Sequence, residues 1–235
     1  MLDNIGIVLD RTRHAANIGA VCRVMKNLGF NRLHLVNPSE FGHLAAVRMM
    51  QGAEDIMESA EPHGAAEEAI AEYHVAFATS HRMKQDEALD IETAARKIAA
   101  LARKNRVAVL FGSEKFGLAR EDADRCQYVI RLPVEPGFPS ANLAQAVTMV
   151  CLEIRLAATR RKAGAARTPK VSLTLAQRKR FQDDLFGLFA QIGMKEPAVK
   201  KKIKSVFDRA NMTEREMNLF FGLFKKMRRA LADKR

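Results

Sequence analysis

The sequence predicts an α/β domain built on a parallel sheet, followed by a small α-helical C-terminal domain. Three observations lead there. Short apolar runs alternate with helical patterns through the first 160 residues. Only helical periodicity remains beyond residue 172. The charge divides in the same region: residues 1–160 carry 19 Lys and Arg against 20 Asp and Glu, whereas residues 161–235 carry 20 against 7. The net charge of +12 therefore resides in the tail.

Strands are expected at 5–9, 33–36, 75–78, 107–111 and 128–132. Several are apolar without alternation, the pattern of parallel strands covered on both faces. Helices are expected at 18–28, 54–59, 65–72, 93–103, 119–125 and 143–163. This βαβ rhythm defines the first domain, residues 1–160. Residues 161–172 include GAARTPK, small, basic and proline-containing, and read as a linker. Residues 173–235 read as three helices. Their apolar sets are Phe181, Leu185, Leu188 and Ile192; then Val199, Ile203, Val206 and Phe207; then Met217, Phe220, Phe221, Phe224 and Met227. Gly193 suits a left-handed cap, Pro197 a first helical turn, and Thr213 with Glu216 a capping box. Seven of the 13 phenylalanines lie in this segment. Their helical spacing marks them as core rather than as platforms for stacking bases.

Composition excludes several classes. Cys22, Cys126 and Cys151 are scattered with no CxxC pair, which argues against a disulfide framework or a zinc site and fits a reducing cytoplasm. The opening MLDNIGIVLD has no positive n-region, and no apolar run approaches the roughly 20 residues that span a bilayer. There is no G-x-G-x-x-G, Walker A loop or G-x-S-x-G elbow. The six histidines lack HExxH or H-x₃₋₅-H spacing, so no metal is expected. A basic excess confined to one segment favours a polyanionic partner, nucleic acid before membrane.

Three stretches can carry chemistry. NIGAVCRVMKNLGF, 17–30, follows a strand and opens a helix, with Asn17 near the N-cap and Arg23 further in; helix starts offer free N–H groups to a phosphate or polar group. LFGSEKFGL, 110–118, ends a buried strand in a glycine that lets the backbone approach a ligand closely. PSANLAQAV, 139–147, follows a Pro/Gly loop and sets Ser140 or Asn142 at the start of a long helix. In open α/β sheets ligands gather at carboxyl ends of strands. Taken singly, each stretch is equally consistent with ordinary capping and turns.

In this order and combination the three stretches resemble the SpoU/TrmH family of SPOUT methyltransferases, over about residues 4–160. Within it the chain is most similar to the TrmJ branch, whose members methylate a ribose in the tRNA anticodon loop. Ala78-Thr79-Ser80 followed by Arg82, and the helical tail with LFGLFAQIGM and Phe207-x-Arg209-Ala210, carry that finer resemblance. It implies a trefoil-knotted α/β SPOUT catalytic domain at 1–160, a homodimer with the substrate site near the subunit interface, and S-adenosylmethionine as cofactor. Thr79, Ser80, His81, Gly112, Leu132, Ser140, Ala141 and Asn142 would surround that cofactor. His81 stands where a small residue is usual and Ala141 where leucine is. Arg23 would activate a ribose 2′-hydroxyl, with Asn17, Glu114, Ser140 and Asn142 shaping the site.

Arginine is a poor general base because its pKa exceeds about 12. Either Arg23 is unusually desolvated or helped by a phosphate, or it orients the ribose and stabilises a developing alkoxide. Arg82, just past the cofactor strand, would hold RNA phosphate. So would Lys200, Lys201, Lys202 and Lys204, whose charge is otherwise misplaced at the positive end of a helix. The substrate expected is RNA, most readily tRNA. Ribosomal RNA, or RNA binding without catalysis, are the competing readings.

Overall fold

The computed structural model describes residues 1–38, 48–80, 88–135, 137–138, 141–159, 172–194, 196–210 and 212–232, without the Arg209 side chain. The chain divides into two compact units, Met1–Pro169 and Lys170–Arg235.

The first unit runs β1 (Ile5–Asp10), α1 (Ala15–Leu28), β2 (Arg32–Val36), α2 (Glu54–Glu58), β3 (Glu61–His63), α3 (Ala66–Ile70), β4 (Val75–Thr79), β5 (Leu89–Asp90), α4 (Ile91–Leu101), β6 (Val107–Phe111), α5 (Arg120–Ala123), β7 (Tyr128–Arg131) and α6 (Leu143–Thr159). The strands form one sheet in the order β3-β2-β1-β6-β4-β7-β5. All six pairings are parallel. Every residue of β1, β4 and β6 is buried, as their unalternating apolar sequences require. Helix α6 packs against both α1 and α4. Val147, Val150, Cys151 and Ile154 on α6 join Val21, Cys22 and Met25 on α1 in the main core.

Local chemistry sets the helix ends. Gly29 closes α1 at φ 78, a left-handed conformation that costs glycine little, and its N–H returns to the carbonyls of Lys26 and Met25. Asp90 caps α4 by accepting from the Thr93 N–H, so that helix begins two residues before the periodicity starts. Helix α1 also begins early, at Ala15 with His14 as its N-cap. Asn17 is therefore inside the first turn and not near the cap, since the backbone turns helical as soon as it leaves the β1 loop. Strands β3 and β5 are not legible in the sequence. Glu61-Pro62-His63 is three residues with a proline, tolerated only at a sheet edge, and β5 is two residues long.

The second unit contains α7 (Leu175–Gln191), α8 (Pro197–Arg209) and α9 (Glu214–Ala232). Thr174 and Gln177 form a capping box on α7, and Thr213 and Glu216 form the one foreseen for α9. After α7, Gly193 adopts φ 83. Its N–H reaches the Ala190 carbonyl and the Met194 N–H reaches that of Phe189, a Schellman closure. Pro197 opens α8. The core is Leu173, Phe181, Leu185, Leu188, Met212, Met217 and Phe224, with Phe189, Ile203, Phe207, Phe220 and Phe221 packed around it. Phe181 lies at its centre, its ring within 6.0 Å of those of Phe207, Phe220, Phe221 and Phe224.

The expected stripes are too long for this core. Ile192, Val199, Val206 and Met227 are exposed. Ile192 and Val199 lie at helix ends, and Val206 stands beside Phe207, which takes the inward position. Among the described residues, no helix is long and apolar enough to cross a membrane.

Candidate active site

The sheet order sets β4 between β6 and β7, so three strand ends lie side by side. The Thr79 hydroxyl donates to the Leu110 carbonyl at 2.9 Å, and the Ser80 N–H donates to Ile130 at 3.1 Å. These bonds tie the end of β4 to both neighbours. The chain leaving each strand forms a wall of one cleft, to which Thr79, Ser80, Gly112, Leu132 and Ala141 all contribute. Five of the expected cofactor residues, far apart in sequence, are thus brought together.

Gly112 is required here by space. A Cβ at this position would collide with the backbone of Gly117 and Leu118. The loop therefore folds back over the strand end, fastened by the Gly117 N–H to the Ser113 carbonyl at 2.8 Å, with Gly117 at φ 65. That fold turns Glu114 into the cleft lining.

Glu114 anchors a polar relay. The Asn17 side-chain amide donates to Glu114 Oε1 at 2.7 Å, and the Arg13 N–H donates to Oε2 at 3.1 Å. Asn142 Nδ2 donates in turn to Asn17 Oδ1 at 3.1 Å. With both ends of its amide engaged, Asn17 has one fixed orientation. Asn142 is fixed by the first turn of α6: its Oδ1 accepts from the Ala144 N–H, and Gln145 Oε1 accepts from its own N–H. Burial raises the Glu114 carboxyl. The Asn17 amide and the N–H groups of Glu114, Arg13 and His14 outweigh that and hold it below the usual range.

The loop that delivers Arg13 has its own clamp. Arg11 adopts φ 52, and its N–H donates to the Val36 carbonyl at 2.8 Å. Its guanidinium bridges Asp10 and Asp122 at 2.6 and 2.7 Å. Burial pushes the Asp10 carboxyl up, with Arg11 opposing.

Not every expected residue joins this constellation. Arg23 lies on the exposed side of α1 and makes no hydrogen bond or ion pair among the described residues. Six residues separate it from Asn17, which turns it about 120° around the helix. His81, Arg82 and Ser140 lie outside the described residues. Lys201 and Lys202 are exposed on α8, and Lys200 and Lys204 are half-buried. Sequence reasoning passed over the Arg13 N–H and the cleft residues Ser113, Leu118, Val134 and Leu143. Three of those four side chains sit inside the motifs already singled out. The Arg13 contact is made by backbone and leaves no residue-type signal.

Residues 4–152 match the SpoU rRNA Methylase family, and the chain belongs to it. Among its relatives, the tRNA (cytidine/uridine/adenosine-2′-O-)-methyltransferase TrmJ of Pseudomonas aeruginosa is 32% identical over 254 residues, covering 100% of this chain and 99% of the relative. The crystal structure of TrmJ from Z. mobilis ZM4 superposes with a TM-score of 0.78 at 24% identity, covering 95% and 98% of the two chains. The SpoU methyltransferase AviRb of Streptomyces viridochromogenes, solved with AdoMet, shares the fold over 66% of this chain and 57% of its own, with a TM-score of 0.54 and 19% identity. The TrmJ relatives match end to end, helical tail included.

Proposed function

We propose that this protein transfers a methyl group from S-adenosylmethionine to a ribose 2′-hydroxyl of tRNA, on cytidine or uridine in the anticodon loop. The observation that carries this reading is the meeting of the three-loop cleft with the Asn142–Asn17–Glu114 relay along one wall. Full-length similarity to TrmJ enzymes supplies the substrate class.

The cleft suits a nucleoside joined to an amino acid. Phe111, Leu118, Leu132 and Val134 offer apolar walls to a base. The hydroxyls of Thr79 and Ser80 and the backbone around Leu132 and Ala141 offer polar edges. His81 and Ser140 complete the set in this reading. When bound, S-adenosylmethionine supplies an electrophilic methyl group. The chain supplies position: the relay holds Asn17, Glu114 and Asn142 preorganised, so no side chain must be reordered when the ribose arrives. Arg23 orients the ribose and stabilises negative charge on its 2′-oxygen, because arginine is a poor proton acceptor.

Residues 1–160 are then the catalytic domain, knotted in the family manner, 161–172 the linker and 173–235 the RNA-binding extension. Arg82 and the α8 lysines hold phosphates. The working form is a cytoplasmic homodimer whose substrate site lies near the subunit interface. The test is transfer of labelled methyl from S-adenosylmethionine to separate tRNA and ribosomal RNA pools, with the product nucleotide mapped. Label on a ribose of the tRNA anticodon loop is expected. Label confined to ribosomal RNA would overturn the substrate, and label in neither pool the activity.

A further inference from the structure

A second constellation lies at the opposite edge of the sheet. The register pairs His34 of β2 with Glu61 of β3, and His63 is two residues further along. Side chains two apart on a strand share a face, so His34, Glu61 and His63 converge on one side of the β2–β3 edge. His34 Nδ1 lies 3.0 Å from His63 Nε2 and 3.5 Å from Glu61 Oε2. His63 Nε2 and the same carboxylate oxygen are 4.0 Å apart. Ligand atoms about 2.0–2.1 Å from a tetrahedral zinc ion stand about 3.3 Å from one another. The three atoms here already surround a point at that scale.

The surroundings fit the same use. His34 is 5% exposed, and its other nitrogen, Nε2, is held by the Tyr73 hydroxyl at 2.6 Å. That leaves Nδ1 facing the other two groups. A hydrogen bond to the far nitrogen is how proteins orient metal-binding histidines. Tyr73 reaches this position because residue 6 is glycine; a Cβ there would collide with the tyrosine hydroxyl. Glu61 is largely exposed and leaves an approach from solvent. Two imidazole nitrogens and one carboxylate oxygen favour ions that bond strongly to nitrogen over hard, oxygen-seeking cations.

We propose that His34, Glu61 and His63 form a three-ligand site for a zinc-class divalent ion, which fastens the three-residue strand β3 to the sheet. Linear spacing could not reveal it, because the ligands come from two strands, with 26 residues of sequence between His34 and Glu61. The site is independent of the methyl-transfer reading.

The test uses the full chain, stripped with a chelator, dialysed into metal-free buffer and titrated with zinc chloride against a zinc-binding indicator. One zinc per chain is expected, with a rise in thermal midpoint, and magnesium chloride should produce neither. Glu61→Gln, at an exposed side chain, and His63→Ala should each abolish stoichiometric uptake. Tyr73→Phe should weaken it by about 10- to 100-fold. Absence of stoichiometric zinc binding would overturn the proposal, and so would uptake that survives unchanged in either ligand variant.

Discussion

The two units differ in what their polar residues do. In the first, near-neutral unit, polar side chains are locked together: Asn142, Asn17 and Glu114 share hydrogen bonds across 97 and 125 residues of sequence, and Arg11 bridges two aspartates. The second has fixed groups of its own, Arg178 and Gln182 on Asp208 and Arg228 on Asp184, but there Lys201 and Lys202 face solvent on α8, around a small core of aromatic and aliphatic side chains. Fixed polar groups suit chemistry, which needs preorganised geometry. Solvated cations suit the grip of a phosphate backbone, which needs charge more than shape. In the proposed function the first unit is the one that reacts and the second the one that holds.

The largest expected effect breaks the holding unit. Phe181→Ala removes the ring at the centre of the aromatic cluster and should cost about 3–5 kcal/mol. Circular dichroism should record lost tail helicity, while calorimetry finds S-adenosylmethionine binding unchanged. Loss of cofactor binding would show that the two roles are not separate.

A smaller effect tests the relay. Glu114→Gln keeps one acceptor for Asn17 but turns an amide donor toward the Arg13 N–H, at a cost of about 1 kcal/mol. The folded carboxyl lies below its ordinary value of 4.5. Its contribution is therefore full above pH 4.5 and is lost as the pH falls through its lower folded value. The gap in thermal midpoint between wild type and variant should accordingly be constant near neutrality and close in acid. A gap that widened in acid would contradict the relay as drawn. Smaller still, Thr174→Ala removes the cap of α7 and should cost about 1 kcal/mol of tail stability by thermal melting, leaving methyl transfer at saturating tRNA intact.

Legibility followed chemistry. Strand β6 is legible to the residue, because Val-Ala-Val-Leu-Phe is apolar throughout. Glycine and proline signals place Gly193 and Pro197 correctly because each acts through its own backbone. Strand β3 was hidden because its pairing depends on the partner strand and not on its own propensity. Gly112 is expected from sequence to let the backbone approach a ligand, but the group packed against it is the chain's own loop at Gly117 and Leu118, a tertiary fact. Family resemblance names Asn17 and Glu114 as parts of one site but not their hydrogen bond, since no periodicity links residues 97 apart. The overlong tail stripes misled because periodicity reports which face is apolar, not where the neighbouring helix ends.

The division of labour is tested most directly by crossing two variants in one experiment: single-turnover methyl transfer at saturating tRNA, alongside tRNA affinity measured over a range of salt. Arg23→Ala should lower the rate by about 10²–10³-fold with affinity nearly unchanged. The quadruple change of Lys200, Lys201, Lys202 and Lys204 to Gln should leave the saturated rate intact, weaken binding, and flatten the salt dependence by about 3 in log–log slope. If both variants lost rate and affinity in parallel, or if the lysine variant left the salt slope unchanged, the separation of chemistry from grip would be contradicted.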